Sequence, residues 1–260
     1  MRINLEDVTF LIPIRIDSIV RLENLIMGVS YLLKSFHTNI TVLEASNYEN
    51  GVVRKLLGRS VDYMFVEDKD PVFYRTKYLN VMTERAKTSF IGIWDSDVVI
   101  PKCQIIDAVN NLRMGIEIGF PYDGDFRDTT EVVREYYFNN REINFLLRNK
   151  RKMPQIYGAE AKGGAILVNK VAYIIAGKEN ERYYGWGPED YDRYERWKAF
   201  GYNIYRSSGC LFHLTHPRGG NSSFRSTKQA DNTSRELFIT QVSSKEEILL
   251  SLDVGSFPNG

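Results

Sequence analysis

The sequence predicts an α/β fold, a mostly parallel central sheet with helices on both faces, and three observations carry that expectation. Short apolar runs alternate with stretches of helical periodicity over the first hundred or so residues. Charged residues gather where the apolar runs end, the pattern of a parallel sheet that presents ligand groups at its carboxyl edge. The chain has 260 residues, 43% of them hydrophobic, enough to bury one sizeable core.

Composition narrows the function classes. A formal net charge of +1 gives no basic surface for general nucleic-acid binding. The two cysteines, Cys103 and Cys210, form no disulfide framework and fit a reducing compartment. Residues 1–7 are too polar for a signal peptide, and no apolar run approaches the ~18 residues of a membrane span. A soluble, cytoplasmic protein is expected. Aromatics make up 13% of the chain, with 16 tyrosines, and flat apolar faces of this kind line sugar clefts as well as cores.

Residues 8–14 read as the first strand, ending at Pro13 and Ile14. Asp17 or Ser18 caps the next helix, whose Ile19, Leu22, Leu25, Ile26, Val29, Leu32 and Leu33 recur at helical spacing as far as Phe36. A second strand, 40–43, ends in Glu44, and a third, 61–66, ends in Glu67 and Asp68. A helix opened by residues 73–80 runs to about Lys87 and delivers the chain to an apolar strand, 90–94. Beyond Pro101 come a helix (104–113) and a strand (116–121), then a polar stretch (123–153) with a helix ending in the basic run 148–152. That run is read as a solvated helix end, with contact to an anionic or membrane-bound acceptor as the lesser alternative. Residues 162–169 form a strand entered through paired glycines, 191–200 a helix and 202–207 a further strand. From Pro217 to Thr233 the sequence reads as a mobile loop, followed by one helix over 235–252. The expected organisation is one domain over 1–218, with a nucleotide-binding half (1–101) and an acceptor and metal half (102–218), and then the loop and helix of 219–260.

The chemistry centres on Asp95-Ser96-Asp97, at the end of the 90–94 strand. In an extended segment both carboxylates point to one side, and burying them unpaired is costly. A divalent cation with a phosphate ligand would resolve that cost. A solvated turn would explain Asp-x-Asp alone, so the flanking sequence decides. No glycine-rich cradle follows the first strand, so phosphates would be held by metal and arginine. Arg15, Arg21, Arg75 and Lys77 are the candidates, of which Arg21 and Lys77 read as ordinary surface cations. Residues 183–192 bring together glycines, Trp186 and the acids Glu189, Asp190 and Asp192, a site pattern. His213 and His216, two of only three histidines, invite a metal role.

Taken in order, these blocks resemble the GT-A-fold glycosyltransferases, and specifically the β-1,4-galactosyltransferase family and its bacterial relatives. The family's Pro-x-Arg element is matched by Pro13 and Arg15. Its Phe-x-Arg-x-Lys-x-Leu-Asn block is matched by Phe73, Arg75, Lys77, Leu79 and Asn80, and its Asp-x-Asp block by Asp95 and Asp97. Its Trp-Gly-x-Glu-Asp block is matched by Trp186, Gly187, Glu189 and Asp190, and its metal-binding histidine by His213. The resemblance spans about residues 8–218. It implies a single GT-A-type domain with a Rossmann-like sheet, and a UDP-sugar-dependent hexosyltransferase that inverts configuration, with galactose or N-acetylhexosamine as donor sugar. It further implies that Phe73 and Arg75 contact uracil and diphosphate, Asp95 the ribose and Asp97 the metal. Glu189 would hold donor-sugar hydroxyls, Trp186 would line the sugar cleft, and Asp190 would be the general base. His213 would ligate the metal, with His216 joining it in one branch of the family. Pro13, Arg15, Glu44 and Gly164 complete the expected nucleotide-sugar-binding set. Cys210 stands where some members place a methionine ligand, which leaves the third ligand open, and Tyr191 interrupts the family's acidic run.

Elementary chemistry agrees with that reading. An Asp-plus-His site suits Mn²⁺ better than Mg²⁺, which remains the alternative. One of Glu189 and Asp190 would take the acceptor's proton. The acceptor would be a saccharide or lipid-linked saccharide of surface polysaccharide synthesis, with peripheral membrane contact if lipid-linked. A non-catalytic nucleotide-sugar-binding protein would have no use for Asp190, and a metal-independent glycoside hydrolase no use for the Asp-x-Asp, histidine and arginine set. A sugar-1-phosphate nucleotidyltransferase would carry a glycine-rich loop after the first strand.

Overall fold

The computed structural model of the chain describes residues 2–158 and 160–253. The first half of the chain alternates β1 (Ile3–Ile14), α1 (Ile19–Ser35), β2 (Phe36–Ser46), α2 (Val52–Leu57), β3 (Asp62–Glu67), α3 (Arg75–Arg85) and β4 (Phe90–Trp94). Then come β5 (Val98–Val99), α4 (Lys102–Arg113), β6 (Ile118–Phe120), β7 (Phe126–Asp128), α5 (Glu131–Asn140) and α6 (Ile143–Asn149). The remainder is β8 (Ala165–Asn169), α7 (Lys170–Ile175), α8 (Glu189–Ala199), β9 (Ile204–Arg206), β10 (Leu211–His213), α9 (Thr227–Val242) and α10 (Lys245–Asp253).

Seven strands form the central sheet in the order β3-β2-β1-β4-β8-β6-β9. All run parallel except β8, which lies antiparallel to both β4 and β6. This is the mostly parallel α/β architecture expected from the sequence. β4 is buried along its whole length, because helices cover the sheet on either side and its residues Phe-Ile-Gly-Ile-Trp offer only apolar surface. Gly92 is opposite Phe10 on β1, and a methyl group there would come within 2.8 Å of the Phe10 ring. That ring also meets Trp94 edge-on at 5.0 Å, so the strand that carries the Asp-x-Asp pair is locked to its neighbour.

A second, three-stranded sheet, β5-β10-β7, lies at the carboxyl end of β4. β10 is antiparallel to β5 and parallel to β7, so His213 is paired with Val98 on one side and Asp128 on the other. A separate buried cluster that includes Met27, Val99, Tyr137, Leu146, Cys210 and Phe212 supports this small sheet.

Several elements differ from the sequence reading. β1 starts at Ile3, because Ile3 and Leu5 alternate with solvent-facing Asn4 and Glu6, and a bulge between Leu5 and Thr9 carries the strand on. The polar stretch after residue 123 holds β7 and two helices, parted where Arg141 adopts a left-handed φ of 58°. The segment read as a loop as far as Thr233 is helical from Thr227, because Ser226 accepts a hydrogen bond from the Gln229 amide at 3.1 Å and starts α9 early. The single helix expected over 235–252 is two. Ser244 and Glu247 make a reciprocal capping box that begins α10, with the Ser244 amide donating to Glu247 Oε2 at 2.7 Å and the Glu247 amide to Ser244 Oγ at 3.3 Å. The end of the expected C-terminal unit, 254–260, lies outside the described residues.

α8 and α9 pack together through a buried polar knot. Arg196 donates to Asp192 Oδ2 at 2.9 Å and to the carbonyls of Ala176 and Lys178, while Asp192 Oδ1 accepts from Thr240 at 2.5 Å and from Tyr183 at 3.3 Å. Both charged side chains are almost wholly out of water, so each needs the other. Arg196→Ala would leave the Asp192 carboxylate uncompensated. A loss of about 3–5 kcal/mol is expected, the usual cost of breaking a buried pair from one side. Urea unfolding followed by circular dichroism measures it, and an unchanged midpoint would mean the knot contributes nothing to stability.

Candidate functional site

A cavity of about 550 Å³ opens at the carboxyl edge of the central sheet, where the ends of β1 and β4, the paired glycines before β8, the N-terminus of α8, the chain after β10 and one side of α9 converge. Its wall includes Pro13, Arg15, Phe73, Arg75, Asp95, Asp97, Gly164, Trp186, Glu189, Asp190, His213 and His216. Of the thirteen residues expected to serve catalysis, nucleotide-sugar binding or metal binding, twelve are therefore brought to one place. The exception is Glu44. Although it ends the apolar part of β2, its side chain is buried and accepts from the Tyr63 hydroxyl at 2.7 Å, so it does not reach the cavity.

The small sheet builds one side of the site. The Leu214 amide donates to the Asp97 carbonyl at 2.7 Å, and the β5–β10 pairing sets the Asp97 carboxylate against two imidazoles. Asp97 Oδ1 is 3.7 Å from His213 Nε2, and Asp97 Oδ2 is 3.1 Å from His216 Nε2. One ligand atom from each of the three residues falls within 4.8 Å of the others, close enough to share one cation. The other ring nitrogens are already engaged. His213 Nδ1 is 2.7 Å from Asp128 Oδ1, and His216 Nδ1 is 2.9 Å from the Pro217 carbonyl. With a cation bound between them, Nδ1–H would donate in each ring and leave both Nε2 lone pairs to the metal, an arrangement that outer partners of this kind favour. One carboxylate and two imidazole donors make a set that takes a divalent transition-metal cation. Burial works against ionised Asp97, yet His213, His216 and Arg21 together hold its carboxyl well below the usual carboxylate range.

Cys210 takes no part in this group. Its thiol is buried in the small-sheet core, and burial pushes its pKa up to about 11. Lys77 is exposed, as expected of a surface cation. Arg21, read from the sequence as another surface cation, proves otherwise: it lines the cavity 3.7 Å from Asp97 and is held by Asp17 at 3.0 Å. Helical spacing alone could not show that the first turn of α1 abuts the end of β4.

The other side of the site is built by α3 and α8. Arg75 begins α3 and donates through Nη2 to Asp95 Oδ1 at 2.7 Å. Its Nη1 is 4.0 Å from Glu189 and 3.8 Å from Asp190, and it is buried without a hydrogen-bond partner. Glu189 Oε2 is likewise buried and unpartnered. Burial, reinforced by the neighbouring Asp190 charge and opposed by Arg75, pushes the Glu189 carboxyl up to about 8. Asp190 behaves oppositely. Although burial would raise it, Arg193 and Arg75 hold its carboxyl below the ordinary value. The two adjacent acids are thereby pushed in opposite directions, Glu189 towards its neutral form and Asp190 towards its ionised one.

Asp190 also explains the first of the paired glycines. Its Oδ2 occupies the space where a Cβ on residue 163 would stand, so any side chain there would displace the Asp190 carboxylate. Gly164, with φ +80°, admits the rings and methyls of Phe126 and Leu211 and gives its carbonyl to the Asp95 amide at 2.8 Å. Asp192 points away from the cavity into the α8–α9 knot. Arg15 spends its donors on the Ala45 and Asp70 carbonyls, at 3.0 and 2.6 Å, and on Asp68 at 2.5 Å, while its guanidinium backs the Phe73 ring at 5.7 Å. It stiffens the wall. Trp186 meets Phe224 edge-on at 4.6 Å at the cavity mouth.

A parallel sheet with an Asp-x-Asp at a strand end, facing an acid pair on a later helix, defines the class of fold, and the chain has the GT-A glycosyltransferase fold. No protein-family model matches the chain, and no curated protein matches its sequence. Solved structures do. Drosophila β1,4-galactosyltransferase 7, as a catalytic domain with xylobiose, superposes with a TM-score of 0.57 at 16% identity over 87% of this chain and 79% of that one. Glucosyl-3-phosphoglycerate synthase from Mycobacterium tuberculosis, solved with Mn²⁺, UDP and phosphoglyceric acid, gives 0.51 at 14% over 97% and 80%. A mannosyltransferase from Pyrobaculum calidifontis, solved with GDP-Man and Mn²⁺, gives 0.51 at 13% over 95% and 73%. At these identities the likeness is one of fold.

Sequence reasoning passed over Asp128, which stands in a polar stretch with no motif and becomes a partner of His213 only through the β7–β10 register. Its role can be measured. Asp97→Ala, His213→Ala and His216→Ala should each abolish Mn²⁺ binding in a paramagnetic-resonance titration. Asp128→Asn should weaken it about 10- to 100-fold, as loss of an outer partner does, and Cys210→Ala should leave it unchanged. Parent affinity in any of the three alanine variants at the cluster would remove that residue from the ligand set.

Proposed function

We propose that this chain is a metal-dependent, inverting glycosyltransferase that moves a hexose from a UDP-sugar to a saccharide or lipid-linked saccharide. The carrying observation is the placement of the Asp97–His213–His216 cluster and the Glu189–Asp190 pair on one cavity, with Arg75 reaching from Asp95 towards both acids. A nucleotide binder has no need of an ionised carboxylate set opposite the cation group. A hydrolase has no need of the cation group.

Each wall residue has a task in the proposed reaction. Phe73 offers a flat face to the uracil, and Arg15 stiffens it from behind. Asp95 accepts from the ribose hydroxyls. The unpartnered Arg75 Nη1 is the donor left for a diphosphate oxygen. Glu189, neutral at neutral pH and with a free oxygen, donates to a hydroxyl of the donor sugar, beside Trp186. Asp97, His213 and His216 would hold a divalent cation, Mn²⁺ by donor chemistry, which as a Lewis acid neutralises the leaving diphosphate. Asp190, ionised, takes the acceptor hydroxyl's proton as the acceptor oxygen bonds to the anomeric carbon. The bond from that carbon to the diphosphate oxygen breaks, and its electron pair leaves with UDP. One displacement inverts the anomeric configuration. Galactose or an N-acetylhexosamine is the proposed sugar, and surface glycan synthesis the proposed setting. No described helix is long and apolar enough to cross a membrane.

Calorimetric titration of UDP and GDP, each with and without Mn²⁺, tests the donor site, with Mn²⁺-dependent UDP binding as the expected result. Arg75→Ala should weaken UDP binding more than Arg75→Lys, since a point charge replaces part of what the fork supplies. If neither variant changes the UDP dissociation constant, Arg75 serves only the protein.

Asp190→Asn keeps the size of the side chain and discards the base. Binding of UDP and Mn²⁺ should persist while transfer, or slow UDP-sugar hydrolysis, falls by roughly 10²–10⁴-fold, the range for a lost general base. Measured UDP release at the parent rate would overturn the assignment.

A further inference from the structure

α8 carries two arginines whose side chains are buried, and the knot around Asp192 accounts for only one of them. Arg193 lies one turn after Asp190, on the same face of the helix, with its side chain wholly out of water. Its Nη2 donates to Asp190 Oδ1 at 2.5 Å. Its Nη1 donates at 2.5 Å to Glu179 Oε1, itself fully buried, and that same oxygen accepts from the Tyr173 hydroxyl at 2.6 Å. Glu179 is fixed in turn by Asn80, which accepts from its amide at 2.9 Å and donates to its carbonyl at 3.0 Å. An unbroken chain of contacts thus runs from the core to the cavity: Tyr173, Glu179, Arg193, Asp190.

Stability does not explain this chain. Both charges are desolvated, Glu179 Oε2 and Arg193 Nε lack partners, and apolar groups of similar volume are often as stable as a buried ion pair. What the arrangement does supply is geometry. Arg193 holds one oxygen of Asp190 while Gly163 leaves room for the other, so the carboxylate is pinned against the glycine at the cavity wall.

We propose that Arg193 is a positioning residue for Asp190, orienting its carboxylate towards the acceptor through a guanidinium anchored on Glu179 and Tyr173. The proposal rests on the reading of Asp190 as the group that takes the acceptor's proton. Arg193 also acts on that group electrically. The other charged or titratable groups about Asp190 are Glu189 on its own helix, Arg75 from α3, Asp95 from the end of β4 and Tyr122 beyond β6. Among them Arg193 and Arg75 are the cations, and both favour the ionised form. Removing Arg193 raises the pKa of Asp190. Activity that needs the ionised base then appears only at higher pH.

The test uses the double variant Arg193→Met with Glu179→Gln, which removes the buried pair without stranding either charge. The readout is UDP released from UDP-galactose with Mn²⁺, with water as acceptor, across a pH series. UDP affinity should be unchanged and the KM for UDP-galactose nearly so. Turnover should fall on the order of 10²-fold, the cost of a misplaced reacting group, and the acid limb of the kcat profile should move to higher pH. Arg193→Lys should return the limb towards its parent position while restoring turnover only in part, since it supplies the charge without the fork. Parent kcat and an unmoved acid limb in the folded double variant would overturn the proposal, as would loss of UDP binding in parallel with turnover. Should the double variant fail to fold, Arg193→Lys decides alone: lowered kcat at unchanged UDP affinity supports the role, and parent kcat refutes it. Asp190→Asn, assayed alongside, separates the two ideas. If it keeps the parent rate, the base assignment itself fails. If it is inactive while the Arg193 variants are not, only the positioning role fails.

Discussion

The Arg75 guanidinium holds the site together. Five carboxylates, Asp95, Asp97, Glu189, Asp190 and Glu179, lie in or behind one cavity, and without cations among them their mutual repulsion and desolvation would push them apart or protonate them. Arg75 bonds the strand-end Asp95 and reaches towards both acids of α8, so it ties the central sheet to a helix that begins 95 residues after β4 ends. Arg21 and the two histidines do the same for Asp97, and Arg193 does it for Glu179 and Asp190. The acids remain close because each is answered by a particular cation. One exception, Glu189, is answered by a proton instead.

The two sheets that meet at the cavity do different work. β4 brings Asp95 and Asp97 out of the core on a strand that cannot shift, since every one of its residues is buried and Phe10 fills the space over Gly92. The three-stranded sheet then fixes the angle at which His213 meets Asp97, because β10 is paired on both sides. Regular elements thus carry His213 and the acids of α8, and Asp97 sits in the tight turn between β4 and β5, while His216 and the aromatic groups of the mouth, Trp186 and Phe224, lie on connecting chain. That division suits a site in which metal and base need fixed geometry and the entrance must admit substrates.

Most of the sheet and its order of use were legible from apolar runs bounded by charges, because strand formation in a buried sheet is written in consecutive residues. The proposed ligands and acids were legible for the same reason: Asp95 and Asp97, Glu189 and Asp190, His213 and His216 come in short local groups. What escaped was set by register and by caps. Asp128 and Arg21 enter the site through pairings between segments far apart in sequence, which no local pattern encodes. Glu44 misled because a charge at a strand end looks the same whether it faces the cavity or, as here, Tyr63. The start of α9 was hidden by its polar composition, Thr-Lys-Gln-Ala-Asp-Asn, which reads as loop until Ser226 is recognised as a cap.

Along the chain, α9 comes after every strand of both sheets, yet Ser234, Leu237 and Gln241 line the cavity and Gln229 donates to the Tyr184 carbonyl beside Trp186. Synthesis delivers the N-terminal part first, and units fold as they emerge. The sheet and the histidine frame can close while this helix is still to come, leaving a cleft open along the flank of α8. The cavity is therefore complete only once α9 has docked, with Thr240 against Asp192. A chain whose sheet has formed is not yet a chain with a finished pocket, since one wall comes from a helix that belongs to neither sheet.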